Sequence, residues 1–307
     1  MTTYYIGPSG DDTTGDGSSG NPWKTLSKAT GETLRGDIII VLQGTNVMGI
    51  DQNIGRIGGI TIKGETDDPR DTIIDFGNNE WLISTSNEVD DIIENLTLYR
   101  GNNPNNRNEN FETANLGGSM TFNNVIFKEI ITGANNDYRN TQGGFFTTNN
   151  TYSNAIFNFN VCIFQDIYTK VDGDYSKLIF FAGIHDVSYN LSNCIIYRSS
   201  KSVPSGYTSR FAVFNGYSPQ TIKNSILVDD SGSDDCYLYS TYSLPTTTLN
   251  IYNSCIHNII IASNPSTYTL PTDTNITTDP QFIDPINEDY RLIMTSPCIN
   301  GGVITNI

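Results

Sequence analysis

An all-β solenoid is the fold class this sequence predicts, and three observations predict it. An asparagine followed by a short apolar run returns at Asn95, Asn124, Asn160, Asn193, Asn224 and Asn253, at intervals of 29, 36, 33, 31 and 29 residues. A period of roughly 32 residues is that of a repeat architecture, one coil per repeat. A strand with period-two alternation runs up to the asparagine, as in Ala155-Ile156-Phe157-Asn158-Phe159 and Val187-Ser188-Tyr189-Asn190-Leu191. A second apolar burst follows it, seen in Phe145-Phe146, Ile179-Phe180-Phe181, Phe211-Ala212-Val213-Phe214 and Tyr237-Leu238-Tyr239. These coils contain no ten-residue stretch with apolar residues at helical spacing, which disfavours leucine-rich, ankyrin and armadillo repeats.

Stacked coils of this kind make parallel sheets with strands about 4.8 Å apart and inward side chains filling the bore. The recurring asparagine is expected at a tight inward bend, its amide joined to the coils above and below. Because each coil buries its core only against the next, residues 1–307 form one elongated domain.

Taken in order, Tyr4-Tyr5-Ile6 begins as a strand, passes through a Gly/Asp loop with Asp11, Asp12 and Asp16, and reaches a short helix after Asn21-Pro22-Trp23. Trp23, Leu26 and Ala29 share one helix face, which covers the open end of the bore. Gly36 to Leu42 follows as the first buried strand. This opening resembles the start of right-handed parallel β-helix proteins of the pectate-lyase-like superfamily. The segments 59–64, 72–77 and 81–83 complete early coils, and Asn102 to Asn115 is a polar insertion expected as a surface loop. Further loops are expected at Gly133 to Gly144, Tyr168 to Lys177, Arg198 to Arg210 and Asp229 to Asp235, emerging on one side of the solenoid. The end of the chain, Asp279-Pro280-Gln281-Phe282, Asp289-Tyr290-Arg291-Leu292 and Ser296-Pro297-Cys298-Ile299-Asn300-Gly301-Gly302, resembles the terminal segment of many β-helix proteins of the same superfamily. The resemblance implies a single-stranded right-handed parallel β-helix of eight or nine coils, with a cap at 1–35, coils at 36–278 and a closing segment at 279–307. It is weak on function, because the superfamily holds polysaccharide lyases, glycoside hydrolases, phage tailspikes and non-catalytic surface proteins.

Charge narrows the partners. With 33 acidic against 17 basic residues the net charge is −16, which opposes nucleic acid and anionic membrane as partners. No segment is long and apolar enough for a membrane span, and no secretory signal peptide begins at Met1. Trimming of such a leader, or release as part of a virus particle, accounts for that. The five cysteines show no disulfide or metal pattern and are expected as buried free thiols.

The loops carry the chemistry. Tyr138, Tyr175 and Tyr207 precede their aromatic bursts and are expected as a column that stacks on sugar rings, with Lys170 and Lys201 as further substrate contacts. A lyase acting on uronates neutralises a carboxylate and removes the neighbouring proton, and Lys177, Arg198 and Arg210 are the candidates for those tasks. Asp172 and Asp174 could hold a cation, for which Ca²⁺ is the expected species; no other cofactor is implied. Asp229-Asp230 and Asp234-Asp235 supply carboxylates for a glycosidase, but adjacent loop carboxylates more often meet solvent, and the superfamily's Gly-His-Gly pattern is absent. His185 and His257 are read as structural, and the Gly/Asp loop lacks EF-hand spacing. The expectation is an extracellular or virion-surface protein of the tail-fibre, tailspike or decoration type that presents its loops to a polysaccharide or cell-surface glycan. A uronate-cleaving lyase and a purely structural virion component are the alternatives. Other virion or surface proteins, and a homotrimer of the spike type, are the expected protein partners.

Overall fold

The computed structural model describes residues 1–49, 52–77, 81–85, 90–101, 109–113, 118–133, 144–148, 155–170, 181–182, 187–199, 212–215, 220–230, 237–240, 249–263 and 274–302. Its strands stack in parallel register into a solenoid with three faces. The first face runs through nine strands, from Thr3–Ile6 and Ile38–Val41 through Ala155–Asn160 to Leu249–Tyr252. In the two long strands Asp90–Tyr99 and Ser119–Lys128 the chain turns a corner and continues into the second face, which ends with Ile163–Gln165, Ile195–Arg198, Ile226–Asp229 and Cys255–His257. The third face stacks eight strands, from Gln52–Ile57 to Ile260–Ser263, and includes the aromatic segments Gly144–Thr148 and Tyr237–Ser240.

Alternation along each strand decides what fills the bore. In-register rows place Phe122 over Phe159, with rings stacked 5.1 Å apart, and Phe127 over Phe164 at 4.7 Å. Phe157 stacks on Tyr189 at 5.4 Å, and all six rings are fully buried. At the N-terminal end the helix Leu26–Glu32 buries Leu26 and Ala29, while Trp23, also buried, stacks on Tyr4 at 5.1 Å. The Gly/Asp loop serves this cap. Asp12 accepts from Lys24 N, Thr25 N and Thr25 Oγ1, and Thr25 accepts from Lys28 N as the helix N-cap. Asp11 and Asp16 bond the backbone of their own turns, so the loop is structural, as expected.

The recurring asparagine sits at a bend with amide links to neighbouring coils, as expected, and the backbone angle adds a second reason for it. Asn95, Asn124, Val161, Asn193, Asn224 and Asn253 occupy the corner between the first and second faces, with φ between 49° and 58°. That left-handed conformation is one Asn tolerates better than most residues. The asparagines mark a backbone bend, and amide bonds join neighbouring coils at Asn124 Nδ2 to Asn95 Oδ1, 3.0 Å, and at Asn160 Nδ2 to Asn123 Oδ1, 2.9 Å. Asn160 is one residue early: it pairs with Asn123 and Ser192, and Val161 takes the corner. The inward polar ladder lies one residue further on. Cys194 N donates to Ser225 Oγ, Ser225 N to Ser254 Oγ and Ser254 N to Asn275 Oδ1, all at 3.0–3.1 Å and all buried.

Two expected loops contain strands. Glu109–Thr113 lies within the polar insertion because Phe111 pairs with Ile83 and Phe146 on the third face. Tyr168–Lys170 pairs with Ile131–Gly133, so the bases of two long loops form a small parallel sheet. Beyond Ile276, which continues the stack beside Cys255, residues 279–302 fold back along the outside as a strap whose hairpin joins Phe282–Asp284 to Asp289–Leu292.

Candidate functional site

A second corner stands where the second face ends and the chain leaves towards the loops. Five residues after each first-corner residue come Arg100, Glu129, Asp166, Arg198, Asp229 and Asn258. The register Tyr99, Lys128, Gln165, Tyr197, Val228, His257 stacks the residues just before them, so the six form one column, one per coil. Four of them, Arg100, Glu129, Asp166 and Asn258, have φ between 50° and 56°. Five of the six are ionisable, a density that packing alone does not require.

Two ion pairs and several hydrogen bonds hold the charges of the column. Arg100 forms an ion pair with Asp75 of the preceding coil, with Nε 3.1 Å from Oδ1, and Asp75 also accepts from Gly77 N. The hydrogen bond to Asp75 raises the Arg100 pKa further. Arg100 lies 4.9 Å over the Tyr99 ring and Lys128 Nζ 5.4 Å over it. Burial, followed by the charge and hydrogen bond of Glu129, pushes the Tyr99 phenol up, so it stays a neutral donor. Asp166 Oδ1 accepts from both N and Oγ of Ser199, at 3.0 and 2.9 Å. Arg198 grips Asp229 through two bonds, Nε to Oδ1 at 2.7 Å and Nη2 to Oδ2 at 2.6 Å, with both residues buried. Tyr197 donates to Asp230 Oδ2 at 3.0 Å, and burial plus that charge pushes its phenol well above the ordinary value.

The strap roofs the middle of this column. Phe282 and Tyr290 meet Tyr197 edge-on, and Glu288 pairs with Lys128. Beneath it, both amide atoms of Gln165, Asp166 Oδ2 and the Tyr290 hydroxyl are buried without a hydrogen-bond partner. Towards the N-terminal side Tyr99, Arg100, Lys128 and Glu129 are half-buried and reach solvent. This open end offers an aromatic ring, two cations and a carboxylate on a rigid wall, which suits hydrogen bonding to a polyhydroxylated ligand.

Of the candidates expected from sequence, Arg198 is corrected in its setting. It stands in the wall, bound to Asp229, and not on an open loop; Asp229 likewise ends a strand. Lys170 closes the short strand Tyr168–Lys170 at the foot of its loop. Lys177, Arg210, Tyr138, Tyr175, Tyr207, Lys201, Asp172 and Asp174 lie outside the described residues. The column itself was missed as a column, although in five of the six coils it lies five residues after the recurring asparagine, and six after Asn160. Among the described residues no three His, Cys, Asp or Glu side chains gather as metal ligands. His257 Nδ1 lies 3.2 Å from Thr277 O, a structural position.

No protein-family model matches the chain, and no curated protein matches it in sequence. Solved structures resemble it in shape. A PL6 family alginate lyase shares 10% identity at a TM-score of 0.50, over 91% of this chain and 39% of that one. A rhamnogalacturonan lyase shares 13% identity at 0.45, over 100% and 95% of the two chains. A pectin methylesterase from Erwinia chrysanthemi shares 13% at 0.46, over 94% and 98%. The likeness is one of fold alone: the chain is a parallel β-helix.

Proposed function

We propose that this protein binds a polysaccharide along its loop-bearing corner, outside the cell or on the surface of a virion. The observation that carries this reading is the ionisable column at the feet of the loops, in which Arg100 pairs with Asp75, Arg198 pairs with Asp229 and Asp166 is held by Ser199. Such a wall supplies oriented donors and acceptors held in place by Asp75, Asp229 and Ser199, the fixed arrangement that supports binding as the first reading. In this reading Tyr138, Tyr175 and Tyr207 are the residues that stack on sugar rings, with Lys170 and Lys201 as further contacts. Asp172 and Asp174 are the acidic pair to which Ca²⁺ would bind.

A lyase is the second reading, with Lys177, Arg198 and Arg210 as its candidate residues, of which Arg198 is engaged by Asp229 in the wall. Its support is that the fold is shared with an alginate lyase. One experiment separates the two. The purified protein is offered a panel of acidic and neutral polysaccharides, with and without Ca²⁺, and binding, unsaturated product and reducing ends are followed together. Binding without product, weakened at least tenfold in a Tyr138→Ala, Tyr175→Ala, Tyr207→Ala triple variant that keeps its circular dichroism, is the expected result. Unsaturated product that disappears in Lys177→Ala establishes the lyase, and no binding to any member overturns both.

A further inference from the structure

Two thiols that the polar column does not use meet at the C-terminal end of the solenoid. Cys255 opens the last strand of the second face, and Cys298 stands in the turn near the end of the strap. The segment 275–280 brings them together. Ile276 lies parallel to Cys255, Ile256 N donates to Ile276 O at 2.8 Å, and Cys255 Sγ reaches Thr278 O at 3.3 Å. On the strap side, Ser296 Oγ donates to Pro280 O and accepts from Cys298 N at 3.1 Å. Gly301 sits so close that a Cβ there would lie 3.0 Å from Ile276 Cδ1 and 3.5 Å from Cys298 O. The two thiols lie close enough to act on each other's ionisation, and neither is in a disulfide in this structure. Cys162 and Cys194 also lie close together, but both are sealed in the aromatic core, where no reagent arrives. Cys298 is only half-buried.

We propose that Cys255 and Cys298 form a disulfide site that fastens the strap to the last coil, closed by exchange with a small-molecule disulfide such as oxidised glutathione. The roles of the two sulfurs follow from their surroundings. The neighbouring Cys255 thiol and Ser296 hold the Cys298 thiol below its ordinary range, whereas Cys255 is pushed up. Cys298 therefore loses its proton first, and its thiolate attacks one sulfur of glutathione disulfide, releasing one glutathione thiolate. Cys255 then gives up its proton, and its sulfur attacks Cys298 in the mixed disulfide, releasing the second glutathione. Two protein thiols are oxidised to one disulfide and one glutathione disulfide is reduced to two thiols, so electrons and protons balance. The closed loop spans residues 255–298 and contains the whole hairpin that roofs Tyr197 and Gln165.

The test is peptide mapping of the full-length protein after incubation with reduced or oxidised glutathione, with free thiols blocked before digestion. The expected result is a linked peptide pair containing Cys255 and Cys298, a mass loss of about 2 Da for the two hydrogens, and a higher Tm in the oxidised form. The Cys298→Ser variant should lose the link and the Tm difference, and Cys236→Ser should keep both. Because the mapping is done on the unaltered chain, a variant that folds poorly leaves it decisive. Both thiols still open to alkylation after oxidation, or a linked pair of other cysteines, overturns the proposal.

Discussion

Asp91 is buried between Ile60 of one coil and Met120 of the next, in an inward row that also holds the buried polar residues Asp37 and Gln220, and replacing it with asparagine tests how the stack tolerates a charge. Its Oδ1 accepts from Ile60 N at 3.0 Å, but Oδ2 is buried without a partner. Burial is the dominant effect and pushes its pKa up from 3.8 to about 6, against the opposing backbone bonds of Ile60 and Gly59. The folded state therefore binds a proton that the unfolded chain has already lost between pH 3.8 and about 6, and stability falls as pH rises through that window. Below it both states carry the neutral acid; above it the full penalty applies. At 1.36 kcal/mol per unit, the difference corresponds to about 3 kcal/mol at neutral pH. Asp91→Asn keeps the acceptor for Ile60 N and removes the charge. It should match the parent near pH 4 and gain about 3 kcal/mol at pH 7.5, roughly 4 to 5 °C in Tm for a chain of this length. Thermal and urea unfolding followed by circular dichroism at the two pH values measures this. A stability difference that is the same at both pH values refutes the reasoning, because it would show that Asp91 is ionised in neither state or in both alike.

Two further substitutions probe the corners. Arg198→Ala leaves Asp229 buried with its principal charge partner gone and should destabilise by about 3–5 kcal/mol, most of it recovered when Asp229→Leu is added; a single variant as stable as the parent in urea unfolding would show the pair is not closed. Val161 is a β-branched residue at φ 58° and 53% exposed, so Val161→Asn should stabilise by about 1 kcal/mol through relief of that conformation; a loss of stability in the same assay would mean that Val161 packs against something its exposure hides.

The repeat and its strands were legible because stacking imposes the same demand on every coil: the inward residues of Phe122, Phe159 and Leu191 must be apolar, and period-two alternation records it. The second reason for the asparagine was not legible from type alone. Asn serves both as an amide link and as a left-handed bend, and only the backbone angle reveals the second. Arg198 and Asp229 were read as loop residues because charged side chains are seldom fully buried unless paired. Their pairing is across coils, 31 residues apart, and no local pattern announces it. Phe111 was absorbed into a polar insertion for a related reason: a single aromatic among asparagines carries little periodicity, yet two neighbouring third-face strands are enough to recruit it.

The spacing of the two corners bears on how such a wall can carry a variable binding surface. From corner residue to corner residue the coils measure 29, 37, 32, 31 and 29 residues, a spread of eight. Within each coil, however, four residues separate the first corner from the second, as in Leu96 to Tyr99 and Cys194 to Tyr197. A fixed second face forces every difference in coil length into the rest of the turn. The chain therefore departs from the column along one straight line, whatever length of loop follows. Insertions there change what is presented without disturbing the stack, because the bonds that hold the line, Arg100 to Asp75 and Arg198 to Asp229, lie in the wall beneath them. Pairing these charges within the wall thus fixes the base of the loops, and under the proposed polysaccharide-binding reading it would leave the loop residues free to differ from coil to coil.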